Sequence, residues 1–216
     1  AVFLGPRKNP RLEHANIPFI ILGTGLLWFG WFGFNAGSAL GANSDAVLAF
    51  ANTHFASASG MITWIFYARF RGRKMNAVGA CIGAIVGLVA ITPAAGFVTI
   101  QESMLIGFIA ALVSNWAISR QGRSGLDDTL DVFPSHGVGG MVGMLLTGVF
   151  AADVGLTSGA TATFGWHIVA LLGVAAFSFG GSFLLFKLVD MMIPVRVSDW
   201  QETLGLDESQ HGETLA

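Results

Sequence analysis

Charge is scarce in this chain: Asp, Glu, Lys and Arg make up 11% of its 216 residues, where soluble domains carry about 25%. With 53% hydrophobic residues and a mean hydropathy of +0.66, that shortage excludes an ordinary soluble domain and indicates a membrane protein. Cysteine is nearly absent. Cys81 stands alone in an apolar run, so a disulfide framework and a thiolate metal cluster are both excluded, and Cys81 reads as a small packing residue. HExxH, CxxC, Walker and GxSxG elements are missing, and no pair of carboxylates lies inside an apolar run. Enzyme chemistry has no foothold, and no cofactor or metal is expected. A net charge of −2 without a basic stripe gives nucleic acid nothing to hold. The chain opens on Ala1, and no charged-then-apolar leader precedes the first apolar run, so no secretory signal is visible.

Apolar length and glycine are what it has. Ile17 to Leu40 is a run of about 24 residues, enough to cross roughly 30 Å of hydrocarbon. Further runs are predicted over 46–70, 76–98, 103–119, 132–152 and 164–193, giving six transmembrane helices in one bundle over 17–193. Residues 1–16 read as a polar, basic loop (Arg7, Lys8, Arg11) and 194–216 as a polar tail. If six spans alternate, all 11 Lys and Arg fall on one side, and the loops 41–45, 99–102 and 153–163 hold none. Basic loops mark the cytoplasmic face, which places both ends of this chain in the cytoplasm of a multi-pass inner-membrane protein. Glycines 79, 83 and 87 recur every four residues, as do 139 and 143. That spacing lets helix backbones approach closely.

Few side chains could carry chemistry. His136 lies just inside the fifth run, with Asp131 before it at the cytoplasmic mouth and Pro134 fitting a first helical turn. An ionisable group there either lines a water-filled path or hydrogen-bonds between helices. Asp127, Asp128 and Asp131 suit the positive end of a helix, and capping alone accounts for them. Phe34 and Ser38, four residues apart, share a face near the far end of the first helix, beside Trp28, Trp31, Phe32 and Asn35. Such a face could hold a small cation by cation–π attraction and one hydrogen bond, or serve as an interfacial aromatic belt. His54 sits among Asn52, Thr53, Ser57 and Ser59 on a polar stripe that either faces a pore or, the reading preferred here, makes interhelical hydrogen bonds. His167, beside Trp166, reads as interfacial, and His14 and His211 lie in polar segments.

Several stretches, in order, resemble the ammonium transporter family (Amt/MEP/Rh) in its second half. They are Gly30 to Ser38, Ala51 to Thr53, Gly79 to Leu88, Thr92 to Gly96, Asp131 to Gly140, Gly205 to Asp207 and His211 to Glu213. The resemblance implies spans six to eleven of an eleven-helix protein: the second inverted repeat plus the last helix, assembled as a homotrimer in the bilayer. It implies that Phe34 and His136 line the pore, Phe34 as one gating ring and His136 as the second of two pore histidines. Ser38 then binds ammonium beside Phe34, Asp131 marks the cytoplasmic exit, and the tail meets PII-type regulatory proteins. The first five helices are missing from the match, so the chain is expected to be a fragment or truncated product that needs them from elsewhere. An exposed polar pore face in lipid is otherwise costly.

The expected function is ammonium or ammonia transport. Three rivals differ in class. An ammonium sensor without transport uses the same site. A haem-binding electron carrier needs His54 and His136 at matching depth, which opposite entry points disfavour. A water or glycerol channel lacks its Asn-Pro-Ala repeats.

Overall fold

A computed structural model describes residues 2–8, 14 and 16–214; Arg11, counted above among the basic loop residues, lies outside them. Among the described residues the chain is all α-helical, without strands: α1 Ile17–Gly37, α2 Ser44–Phe70, α3 Ala77–Ile91, α4 Ile100–Gln121, α5 Gly139–Phe150, α6 Ala162–Met192 and the short α7 Asp199–Leu204. Two single turns of wider π winding, Phe133–Val138 and Asp207–His211, lead into α5 and follow α7.

Local chemistry sets the helix starts. Asn16, Asn43 and Asn76 cap α1, α2 and α3 by accepting from Phe19 N (3.1 Å), Ala46 N (2.9 Å) and Gly79 N (2.7 Å). Thr99 and Glu102 cap each other's backbone at the start of α4. The third apolar run extends to 98, yet α3 ends at Ile91. Pro93 lacks the N–H that would continue the helix, and the chain turns instead, with Ala94 N donating to Ile91 O and Phe97 N to Ala94 O, both at 2.8 Å. Asn52 of α2 holds that turn. Its amide donates to Ala95 O at 2.8 Å and Val98 O at 2.7 Å, where no further helix turn can serve.

The interior is small and partly polar, and the exterior is large and apolar. On α2 the buried stripe is Ala49, Asn52, Thr53, Ala56, Ser57, Gly60, Thr63 and Trp64. Gly87 of α3 and Gly107 of α4 both lie against the backbone of Ala56, leaving no room for a Cβ. A Cβ on Gly83 would sit 2.7 Å from Gly60 O, and Gly143 of α5 presses on the backbone of Ala90. Contact at that range is how helices associate where lipid removes the hydrophobic drive between them. Of the glycines singled out by spacing, 83, 87 and 143 make backbone crossings, whereas Gly79 and Gly139 meet mainly side chains.

α6 differs. None of its residues is buried, and its main packing partner among the helices is α5. One fastening is His167, whose Nδ1 donates to Met144 O at 2.7 Å. By length and composition α1, α4 and α6 can each cross a membrane. α2 is longer than α1 but more polar, and α3 and α5 are shorter.

Candidate functional site

Asp131 adopts a left-handed backbone (φ +50°), a strained conformation that Asp tolerates better than most residues. That bend aims the following turn. Asp128 caps it by accepting from Phe133 N at 2.8 Å, and Pro134 occupies the first turn, where its missing N–H costs nothing. Capping therefore belongs to Asp128. Asp127 points elsewhere, to Arg7, with Nε and Nη2 each 2.7 Å from its two carboxylate oxygens. The guanidinium hydrogen bonds hold the Asp127 carboxyl down to about 2, and Arg7 is raised in turn. Asp131 is shifted upward, first by burial and then by the Asp128 charge.

Ser135 joins Asp131 to His136. Its hydroxyl lies 2.6 Å from Asp131 O and 3.0 Å from His136 Nδ1. With the hydroxyl hydrogen given to the carbonyl, Nδ1–H donates to Oγ, and Nε2 keeps an unshared lone pair. Ser135 is buried, while the His136 ring is exposed on the surface of this chain. After the ring, Gly139 lies near Ser114, Val86 and Val89, and Gly143 presses on the Ala90 backbone, which ties the start of α5 to α3 and α4.

On α1, Trp31 Nε1 donates to Thr92 Oγ1 at 2.8 Å and Asn35 Nδ2 to Thr53 Oγ1 at 2.9 Å. These bonds fix the inward face. Phe34, 63% exposed, and Ser38 therefore look outward, with Ser38 Oγ donating to Phe34 O at 2.6 Å. Trp31 and Phe34 meet edge to face at 6.1 Å. α1 packs on α2 and α3, and the Phe133–Val138 turn on α3, α4 and α5, so α3 is the wall common to both. The structure thus brings Ser38 to Phe34 and the Asp131 backbone carbonyl to His136 through Ser135, and packs α3 against the elements that carry both pairs.

His54 stands in an aromatic nest, 5.5 Å from both the Trp28 and Phe55 rings. Among the described residues no three His, Cys, Asp or Glu side chains form a group able to hold a metal.

Sequence reasoning missed Ser135, the Asn52 staple and a set of contacts at the basic end. There Arg196 donates to Leu4 O, Pro6 O and Glu202, and Lys8 pairs with Asp199 at 3.2 Å. Opposite charges far apart in sequence leave no spacing to read, although Ser beside His was a visible signal.

Known proteins are similar to this chain in sequence and in fold. The ammonium transporter of Bacillus subtilis is 42% identical over 99% of the chain and 55% of its own length. The crystal structure of Candida albicans Mep2 superposes with a TM-score of 0.86 at 35% identity, covering 91% of this chain and 48% of that one. A solved structure described as a sensor Amt protein also gives 0.86, at 29% identity, over 97% of this chain and 55% of that one. The chain thus spans about half the length of the relatives it matches. A family model described as the Ammonium Transporter Family matches residues 1–215. On that match, and on an all-helical bundle shared with solved relatives, the chain belongs to the ammonium transporter family.

Proposed function

We infer that this chain forms the C-terminal half of an ammonium transporter, with Phe34, Ser38, His136 and Asp131 along one conduction path. The observation that carries the reading is the family match across residues 1–215. Ammonium is received at Ser38 beside the Phe34 ring, where the π face attracts a cation. It gives up its proton to water of the outer vestibule before the apolar section, the proton moving separately from the ammonia, because an ion in a dry path is costly and neutral ammonia is not. The His136 Nε2 lone pair then accepts a hydrogen bond from the passing ammonia, while Ser135 holds the ring in that tautomer. Asp131 stands where the path opens. The opposite wall belongs to the remaining length of the relatives, which this chain does not span.

The same reading places both ends of the chain in the cytoplasm, the transporter as a homotrimer, and a PII-type regulator at the basic face. All 11 Lys and Arg on one side support the first of these. A second reading, an ammonium sensor that does not transport, is favoured by the likeness to the sensor Amt protein. Uptake of methylammonium by the assembled transporter separates them. Transport predicts uptake that His136→Ala slows by tenfold or more, in the range for losing a positioned imidazole. Binding without uptake supports the sensor, and an unchanged rate and ion selectivity removes His136 from the path.

A further inference from the structure

Apart from the path of Phe34 and His136, the basic end of the bundle holds a small hollow between α2, α3 and α4. Gly72, in the left-handed region at φ +70°, turns the chain back after α2. The hollow, about 110 Å³ in volume, is lined by Trp64 of α2, by Arg73, Lys74 and Asn76 of the connecting turn, by Gly79 of α3 and by Asn115 of α4. No acidic residue lines it. Among the described residues the ion pairs join Arg7 to Asp127, Lys8 to Asp199 and Arg196 to Glu202. None uses Arg73 or Lys74.

Two polar side chains of the lining are deeply buried. Asn115 is 6% exposed and Trp64 7%, and among the described residues neither the Asn115 amide nor the Trp64 indole N–H has a hydrogen-bond partner. Polar groups at that depth are nearly always satisfied, by protein or by something bound. The indole edge lies at the start of α3. A Cβ on Gly79 would meet Trp64 Cδ1 at 3.2 Å and Nε1 at 3.3 Å, with Asn76 Oδ1 at 3.1 Å. Asn76 Oδ1 is taken up in capping Gly79 N at 2.7 Å, so the Asn76 amide has N–H groups left to give. α3 runs for 15 residues, and the positive end of its dipole adds to the field at this point.

The geometry points to a binding site for one small oxyanion of the phosphate class, taken from the aqueous phase at the basic end. Buried donors from Trp64 and Asn115 form its floor, and the exposed Arg73 and Lys74 stand at its rim. A helix N-terminus with a lysine beside it is a recurrent phosphate holder, and an arginine fork adds parallel hydrogen bonds to the oxygens. Size limits the occupant. A water takes about 30 Å³, so the hollow holds about four, the number of oxygens a phosphate presents, and a nucleotide does not fit. Water alone would satisfy the donors and leave two cations without a counter-charge. Trp64 and Asn115 are covered by the bundle itself and do not face lipid, so the source is a soluble ion and not a headgroup. The site needs only the folded bundle and is independent of transport.

The test is isothermal titration calorimetry of the full-length assembly, purified in detergent, with inorganic phosphate. Phosphate should bind saturably where sodium chloride at equal ionic strength does not, and added phosphatidylglycerol should leave that binding intact. Asn115→Asp puts a carboxylate in the floor with no change of size and should abolish binding. Trp64→Phe keeps the ring, removes the N–H and should weaken binding roughly fivefold. Lys74→Gln, at the exposed rim, should weaken it about fivefold as well. Arg69→Gln, which removes a charge from the same end outside the hollow, should leave it unchanged. Melting in phosphate-free buffer separates lost binding from lost fold, and Lys74→Gln should melt with the parent. No saturable phosphate binding, equal loss in Arg69→Gln, or full binding in both Lys74→Gln and Asn115→Asp would each overturn the assignment. Displacement of phosphate by phosphatidylglycerol would overturn it too, in favour of a lipid headgroup.

Discussion

α3 and α6 are both apolar helices, and the contrast between them shows where this half-bundle is complete. α3 is buried along most of its length, from Cys81 to Ile91, and meets α2 and α5 at glycine crossings. α6, more than twice as long, has no buried residue and exposes Phe177, Phe179, Leu184 and Met191. Closeness in the first comes from side chains that are missing, as at Gly83, Gly87 and Gly143. Exposure in the second comes from side chains that are large. Lipid, or protein beyond this chain, must cover α6, whereas α2 to α5 satisfy one another.

The sharpest way to break that contrast is one chemical change at two places. Gly143→Ala drives a Cβ into Ala90 O and should cost about 3 kcal/mol, since the opposing backbone has no rotamer to yield. Gly173→Ala on α6 meets nothing within 4 Å and should be neutral or gain about 0.5 kcal/mol from helix propensity. Thermal unfolding followed by circular dichroism in detergent reads both. Equal effects would erase the distinction.

Next in size is Asn52→Ala. It removes two donors from the turn after α3, orphaning Ala95 O and Val98 O, and should cost about 2 kcal/mol in the same assay. Arg7→Ala should cost about 1 kcal/mol, because the pair is bidentate though partly exposed. Its pH dependence has a definite sign. The Asp127 carboxyl is lowered from 3.8 to about 2, so the contribution is complete above the ordinary carboxyl range and disappears as pH falls through about 2. Arg7→Ala should therefore flatten the acid limb of the stability curve, and a limb of unchanged steepness would deny the pair any role. Smallest is Asp131→Asn. Burial raises the Asp131 carboxyl, so its ionised form costs stability as pH rises, and the amide should gain roughly 0.5 kcal/mol at neutral pH. Asn also tolerates the left-handed backbone there. A loss would show that the Asp131 charge supports the fold.

Much of the fold was legible because helix positions follow apolar runs, and each of α1 to α6 lies within or beside one. The runs overshoot where turns are also apolar. Thr92 to Val98 reads as membrane helix until Pro93 and the Asn52 amide are placed together. Spacing exposed glycines 83, 87 and 143 but not Gly60 and Gly107, which lack a neighbour at the four-residue interval on the same helix. At the candidate site, the shared face of Phe34 and Ser38 follows from helical geometry alone. The left-handed Asp131 and the Ser135 bridge do not, because a π turn breaks the usual period. The link of Arg7 to Asp127 spans too much sequence for any local pattern to reveal.

The account rests on Phe34 and His136 bordering one conduction path. Phe34→Cys and His136→Cys, each made in a Cys81→Ala background of the assembled transporter, can be tested with a small neutral thiol reagent. The account predicts that both positions react and that methylammonium slows both reactions. Reaction at Phe34→Cys with none at His136→Cys, and no protection at either, would contradict it.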